Sequence, residues 1–211
     1  MKWGFFLNLV AEEPVFTSAV LKRRGISTQK VRLQLVRWVE AGRLVQLRRG
    51  VYMLAEPYRR REPHPFLLAN KLKKASYVSL QSALAYHGLI PESVPVVMSV
   101  TTGRPERLST KAGGFVFKHV KKTMFQGFRA VEVARSQSAF VALPEKALLD
   151  LVYLTPKGDT EIYLKELRVE NLDRLNRPLL LAMARSSGSP KLIRAARRFL
   201  RLTGGEGHET P

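Results

Sequence analysis

The hydrophobic positions at the start of the chain recur at helical spacing. A stripe of Trp3, Phe6, Leu7 and Val10 predicts an amphipathic helix, which ends before an acidic pair and Pro14. A second, short helix is predicted to begin after Thr17 or Ser18 and to run through Lys22 and Arg23. We expect Gly25 to end it, because glycine tolerates the left-handed conformation found at helix ends.

A third helix is predicted over residues 28–41, with Ser27 as its N-cap and Gly42 after its last turn. Val31, Leu35, Trp38 and Val39 fall on one face, with Val36 at its edge, so this face is predicted to pack inward. The other face mixes amides, cations and one leucine, which are groups that can read base edges. Alone, such a face would be interpreted as solvated. Its candidate DNA contacts are Thr28, Gln29, Lys30, Leu33, Gln34 and Arg37.

Two β-prone runs at 44–48 and 51–54 follow, joined through Arg49 and Gly50. The glycine can supply the positive φ that a hairpin turn needs. Three helices and a hairpin with a basic tip are the order of a winged helix-turn-helix, although an unrelated helix-plus-hairpin module is the alternative. In a winged helix the third helix enters the major groove. We expect Arg48 and Arg49 on the hairpin, the wing, to contact phosphates.

The remainder of the chain predicts a second domain of mixed structure. Prolines and an arginine triplet at 59–61 indicate an extended, solvated connector, whose arginines either contact phosphates or keep it soluble. The fold class is therefore α+β, a winged helix-turn-helix followed by a mixed α/β C-terminal domain. The predicted divisions are 1–56 for the winged helix, 57–65 for the connector, 66–203 for the second domain and 204–211 for a flexible tail. Within the second domain we predict helices over 66–74, 80–87, 142–154 and 190–202, and strands over 94–101, 115–120 and 129–134.

The last predicted helix has one apolar face and one cationic face, with Ser189 as cap, Pro190 in the first turn and Gly204 after its end. The cations suit an anionic partner. Hydroxyls, a glycine and an arginine at 101–105 could hold an anion too, although a plain turn is the preferred interpretation. The candidate partner or anion contacts are Thr101, Thr102, Arg104, Lys191, Arg194, Arg198 and Arg201.

Charge favours a polyanionic partner. Lysines and arginines number 36 against 17 acids, a net charge of +19 spread as +8, +7 and +4 over residues 1–64, 65–160 and 161–211. A folded protein that is basic throughout attracts nucleic acid, although solubility alone could account for the excess. The chain has no cysteine, which excludes disulfides and thiolate metal sites and agrees with a cytoplasmic protein. No apolar run approaches the ~20 residues of a membrane span.

No enzyme class fits the sequence. Glu145, Lys146 and Asp150 form the one cluster that could suggest a nuclease. The spacing of Lys146 and Asp150 instead predicts an ion pair along one helix face. The four histidines lack metal-ligand spacing, and His87 before Gly88 is predicted to end a helix. Ser79 and Ser82 have no nucleophile elbow or acid partner. We therefore expect no catalytic residue, no metal and no cofactor.

Four blocks of sequence, in this order, resemble the AbiEi antitoxins of bacterial type IV toxin–antitoxin systems. They read WVEAGRL at 38–44 with RGVY at 49–52, YVSLQSAL at 77–84 with HGLI at 87–90, TTGRP at 101–105, and PEKALLD at 144–150. The first block is common to many winged helices, and the later three are more specific. The resemblance extends over residues 5–202.

This resemblance implies an N-terminal winged helix that binds inverted repeats in the promoter of its own operon and represses it. It also implies a C-terminal domain that counters a toxin of nucleotidyltransferase type. The expected function is thus an autoregulating, sequence-specific repressor and antitoxin whose partners are double-stranded DNA and such a toxin. The alternative is a protein-binding adaptor whose basic C-terminal helix docks an acidic partner and whose affinity for nucleic acid is nonspecific.

Overall fold

The described part of the N-terminal region contains two helices and the hairpin expected of a winged helix. In a computed structural model, residues 2–10, 12–19, 28–91 and 94–204 are described. The elements are α1 (Trp3–Val10), β1 (Phe16–Thr17), α2 (Thr28–Glu40), β2 (Leu44–Arg48) and β3 (Val51–Leu54). The three strands form an antiparallel sheet in the order β1-β3-β2. The predictions for α1, α2 and the hairpin are confirmed.

The predicted second helix lies mostly outside the described residues, as do Lys22, Arg23, Gly25 and Ser27. Its start is corrected at one position, because Thr17 belongs to β1 and pairs with Val51. The backbone N–H of Ser18 donates to the carbonyl of Gly50. Ser18 is thus held against the hairpin turn.

Aromatic rings build the core of the N-terminal region. We call it the first core; its buried residues are Phe6, Val10, Phe16, Val31, Leu35, Trp38, Leu44, Tyr52 and Leu54. The ring centroids of Phe6 and Trp38 lie 4.5 Å apart, and Trp3 meets Trp38 edge-on at 5.0 Å. Such pairs stabilise beyond their buried area. They fix α2 against α1.

The rest of the chain contains a six-stranded mixed sheet and six α-helices among the described residues. The strands are β4 (Ser76–Val78), β5 (Val96–Thr101), β6 (Glu106–Thr110), β7 (Gly113–His119), β8 (Phe128–Ala134) and β9 (Gln137–Ala142). Their order in the sheet is β6-β7-β5-β4-β9-β8. The β5–β7 and β4–β9 pairs are parallel and the other pairs antiparallel. The predicted α+β class is confirmed.

The six helices are α3 (Pro65–Leu72), α4 (Leu80–Tyr86), α5 (Pro144–Leu154), α6 (Glu161–Glu166), α7 (Arg177–Ser186) and α8 (Pro190–Gly204). The sequence predicted α3, α4, α5 and α8. It did not predict α6, α7, or the strands β4, β6 and β9.

A second core joins this sheet to the wing. It contains most of the buried apolar residues after residue 66, and four from the N-terminal region: Val15, Leu47, Val51 and Met53. Strand β3 alternates between the two cores, with Tyr52 and Leu54 in the first core and its other two residues in the second. All four β3 side chains are consequently buried. The predicted division into domains stays a prediction.

The predicted connector is exposed at several positions, as expected, but it is not extended, because residues 56–58 form a turn and its arginines are paired. Arg59 pairs with Glu56 at 2.9 Å and with Glu62 at 2.7 Å, and both Arg60 and Arg61 pair with Glu12. The Gln137 side chain ties the segment to β9 through two hydrogen bonds. Its oxygen accepts from the backbone N–H of His64, and its nitrogen donates to the carbonyl of Glu62. The arginine triplet is thus paired with acids within the chain. Two of these acids lie three residues from Arg59, and Glu12 comes from a distant segment.

Candidate nucleic-acid interface

Helix α2 presents one face to the first core and the other to solvent. Val31, Leu35 and Trp38 are buried, and Val39 is half-buried. Val36, predicted at the edge, is exposed. Among the predicted DNA contacts, Gln29, Lys30, Leu33 and Arg37 are exposed and Gln34 is half-buried. Thr28 is the first residue of the helix. The structure therefore places Gln29, Lys30, Leu33, Gln34 and Arg37 on the outward side of one helix.

A groove of about 680 Å³ runs between this face of α2 and the start of α1. Its walls include Lys2 and Phe5 from the N-terminus, which face Lys30, Leu33, Gln34 and Arg37 of α2. Half of the Phe5 surface and slightly more of the Leu33 surface are exposed, 51% and 55% respectively. Lys2 and Phe5 are not among the predicted contacts. Their one signal in the sequence is that Phe5 falls off the apolar stripe of α1.

The wing is the hairpin of β2 and β3, which are joined by a two-residue turn. Gly50 has a φ of +83°, which confirms that glycine supplies the positive φ at this turn. Arg49 is exposed at the tip. The turn thus places one cation in solvent beside the hairpin end.

Arg48, in contrast, is engaged within the protein. One guanidinium nitrogen donates to the carbonyl of Leu72 at 2.7 Å, and the group pairs with Glu106 at 3.4 Å. A β-bulge between Gln46 and Arg48 breaks the strand register and lets Leu47 enter the second core while Arg48 turns toward β6. The structure therefore separates Arg48 from Arg49. The predicted phosphate contact of Arg48 stays a prediction.

The residues at 101–105 form a turn at the end of β5. The Thr101 side chain is fully buried, donates to the carbonyl of Ala75 and accepts from the N–H of Gly103. His119 hydrogen-bonds the carbonyl of Gly103 at 2.9 Å. Thr102 is half-buried and Arg104 exposed. These contacts give Thr101 a structural role in the turn, and the anion site proposed there stays a prediction.

The cations of α8 divide between structural and exposed roles. Lys191 donates to the carbonyls of Tyr153 and Thr155, where α5 ends. Arg194 binds the carboxylate of Asp159 through two nitrogens, and Arg198 donates to the carbonyl of the same residue. The described contacts of Lys191, Arg194 and Arg198 thus hold α8 to the segment after α5. Arg201 is exposed, and so is Arg197, a cation that the candidate set omitted.

A buried ionic cluster lies apart from these surfaces. Lys146 pairs with Asp150 at 2.6 Å, which confirms the predicted ion pair, and the second carboxylate oxygen accepts from Tyr77 and Ser79. Burial raises the pKa of Asp150, and the charge and hydrogen bond of Lys146 oppose that rise. The Ser79 hydroxyl makes no cap bond to α4 for this reason. His87 ends α4, as predicted, and its Nε2 lies 2.8 Å from the carbonyl of Ala142.

Among the described residues, no group of three or more His, Asp or Glu side chains is placed to hold a metal ion. No helix in this part of the chain is long and apolar enough to cross a membrane.

Comparison with known proteins adds the family of the N-terminal region. A family model described as "Transcriptional regulator, AbiEi antitoxin" matches residues 7–55. The crystal structure of the RV2827C protein from Mycobacterium tuberculosis shares the fold, with a TM-score of 0.51, 15% identity, and coverage of 97% of this chain and 81% of that one. No curated protein matches the sequence.

The family match covers the elements that build the interface. Residues 7–55 include α2, the hairpin and most of the first core. The likeness to the mycobacterial protein extends over both sheets and concerns architecture alone. The resemblance seen in the sequence is confirmed over residues 7–55, which match the AbiEi antitoxin family of DNA-binding transcriptional regulators.

Proposed function

We propose that this chain is a sequence-specific repressor that binds inverted repeats in the promoter of its own operon. The observation that carries the proposal is the exposed face of α2. Its inner side is fixed in the first core, and its outer side offers an amide, cations and an apolar group to solvent. Such a helix can present side chains to the major groove without reordering. The match to DNA-binding regulators over residues 7–55 supports it.

In this proposal, different residues do different work. Gln29, Lys30, Leu33, Gln34 and Arg37 contact base edges, with Thr28 at the helix start. Arg49 contacts a phosphate from the wing, and Arg48 contributes positive charge beside it. Lys2 and Phe5, across the groove, extend the surface toward the DNA backbone. The net charge of +19 draws the duplex to this surface.

Variants of α2 test the base contacts. We expect Gln34→Ala and Arg37→Ala each to weaken binding to the promoter by ~1–3 kcal/mol and to relax sequence preference. Arg49→Ala should weaken binding to promoter and scrambled duplexes alike and reduce the salt slope by about 0.9. Fluorescence anisotropy on both duplexes across a salt series measures all three.

Arg32→Ala is the matched control for Arg37→Ala. Both arginines are exposed on α2, and five residues of helix separate their directions by about 140°. Because Arg32 points away from the groove, its removal should leave the preference for promoter over scrambled DNA unchanged. Equal losses of preference for both variants would contradict the assignment of this face to the major groove.

We further propose that the chain is an antitoxin that counters a nucleotidyltransferase-type toxin through its C-terminal region. The family match supports the antitoxin role. Thr102, Arg104, Arg197 and Arg201 are among the exposed or half-exposed groups of that region. Restored growth when the chain is co-expressed with such an enzyme from its own operon tests this half. Persistent toxicity would confine the function to repression.

A further inference from the structure

The orientation of the wing is fixed by two cores. Strand β3 places Tyr52 and Leu54 in the first core and Val51 and Met53 in the second. Its partner strand contributes Leu44 to the first core and Leu47 to the second. The hairpin therefore cannot tilt without exposing apolar surface on one side or the other. Any group that holds the hairpin to the six-stranded sheet also sets the wing relative to α2.

One carboxylate makes that connection at the base of the turn. Glu106, the first residue of β6, accepts from Lys73 at 2.9 Å and pairs with Arg48 at 3.4 Å. Arg48 also donates to the carbonyl of Leu72, at the end of α3. The three side chains are partly shielded, with exposed fractions of 33% for Arg48, 25% for Glu106 and 18% for Lys73. The wing is thus tied to α3 and β6 by charge-assisted bonds.

The carboxylate is ionised at neutral pH. The hydrogen bond from Lys73 and the charge of Arg48 together hold the pKa of Glu106 below its ordinary value. An ionised acid beside a DNA-binding surface repels phosphates, so by charge alone it should reduce affinity for any duplex. A role in orientation would act in the opposite direction, on the promoter alone.

We propose that Glu106 is a positioning residue for DNA binding, which holds Arg48 and thereby fixes the wing and its exposed Arg49 relative to α2. The inference rests on the proposed function, because it assigns the wing to DNA. In this proposal Glu106 acts through Arg48 and does not contact the nucleic acid. The contact also gives the six-stranded sheet a direct mechanical connection to the DNA-binding surface.

The substitution Glu106→Ala separates orientation from charge. If the acid only repels DNA, its loss should tighten binding to promoter and scrambled duplexes equally. If it positions the wing, promoter binding should weaken by about fivefold, while scrambled binding stays unchanged or tightens. Glu106→Gln keeps an acceptor for both cations and should restore most of the promoter affinity. Glu161→Ala, which also removes an acid paired with a lysine, is the matched control. It should leave the preference for promoter over scrambled DNA unchanged.

Hydrogen exchange of the wing provides a measurement that needs no DNA. In Glu106→Ala, the backbone amides of residues 44–54 should exchange faster than in the wild type, while those of α2 stay unchanged. Unchanged exchange in the wing would overturn the proposal whatever the DNA result. Faster exchange with undiminished promoter affinity would overturn the link to DNA binding. A wild type without promoter preference would refute the proposed function, and the exchange result would still decide whether Glu106 holds the wing.

Discussion

At the scale of single residues, the cluster around Asp150 buries a carboxylate and an ammonium group together. The carboxylate is fully buried, yet both oxygens have donors, Lys146 on one side and Tyr77 with Ser79 on the other. The Lys146 ammonium also lies 6.0 Å from the centre of the Tyr77 ring. Burial and the neighbouring carboxylate raise the pKa of Tyr77, which keeps its hydroxyl a donor. The cluster ties β4 to α5.

Removing one member should leave the other charge buried without compensation. We expect Asp150→Ala to lower the free energy of unfolding by about 3–5 kcal/mol, the usual cost of breaking a buried ion pair. The double variant Lys146→Met with Asp150→Leu should recover part of that loss, since it leaves no buried charge. Urea denaturation followed by circular dichroism measures both variants. A loss below about 1 kcal/mol for Asp150→Ala would show that the pair contributes little.

The sequence predicted this pair but not its environment. Side chains four residues apart on a helix are neighbours by helical geometry alone, so the sequence is enough to predict the pair of Lys146 and Asp150. Tyr77 and Ser79 lie more than 70 residues away in the chain. Their contact depends on the placement of β4 beside α5, and a three-residue strand leaves too little periodicity to predict. The expectation that Ser79 lacks an acid partner was therefore wrong, because its hydroxyl donates to Asp150.

At the scale of elements, the start of α3 carries a titratable cap. His64 occupies the N-cap position, and its Nδ1 accepts from the backbone N–H of Phe66 at 3.2 Å. Protonation of Nδ1 would remove that acceptor. Burial lowers the pKa of His64, in agreement with a neutral ring. The cap follows the connector directly, so its bond also fixes how the chain enters the second sheet.

This cap makes stability depend on pH. Because the pKa of His64 is lower in the folded than in the unfolded chain, the unfolded state binds more protons as pH falls through the ordinary value of 6.5. Stability should therefore decrease on acidification through that range and be regained above it. His87, whose pKa is also lowered by burial, acts in the same direction. Thermal unfolding at a series of pH values should show the decrease.

The variant His64→Asn isolates the contribution of the cap. Asparagine is a good N-cap and does not titrate in this range. The variant should therefore have near wild-type stability at neutral pH and a shallower pH dependence, with the remaining slope due to His87. An unchanged slope would exclude His64 as a contributor.

Elements with clear periodicity were predicted, and those defined by distant partners were not. Helix α8 has apolar and cationic faces that the sequence separates correctly, with Leu192 and Phe199 buried. The helical wheel cannot indicate that Arg194 binds Asp159, which lies in a turn before α6. Strand β6 is a charged edge strand that alternates weakly, so it gave no signal. The predicted anion-binding role of α8 cations now rests mainly on Arg201 and its neighbour Arg197.

At the scale of the whole molecule, the sequence predicted two bodies but not how they meet. The winged-helix order, the basic charge and the α+β class follow from local patterns. The shared strand β3 does not, since four consecutive apolar residues, Val51–Leu54, indicate burial without naming the two cores that cover them. The ion pairs of Arg60 and Arg61 with Glu12 join segments almost fifty residues apart. Such contacts belong to the tertiary structure, and they pair the predicted connector with the segment that follows α1.

Contacts on both sides of the connector link the two sheets of the molecule. The second core and the Arg48–Glu106 pair both act on the wing, and the connector is tied to β9 by Gln137. A partner that shifts β6 or α3 would move the wing directly. The proposed repressor and antitoxin roles would then be coupled through the hairpin.

The most direct test of the account is the binding of the wild-type protein to the DNA upstream of its own gene. Anisotropy titrations should include an excess of scrambled duplex and cover salt from about 50 to 200 mM, where nonspecific binding weakens steeply. We predict that promoter binding persists against competitor at physiological salt, with a preference of at least about a thousandfold. Binding that falls equally for promoter and scrambled duplexes would contradict the account and reduce the DNA affinity to the attraction of a +19 protein for any polyanion.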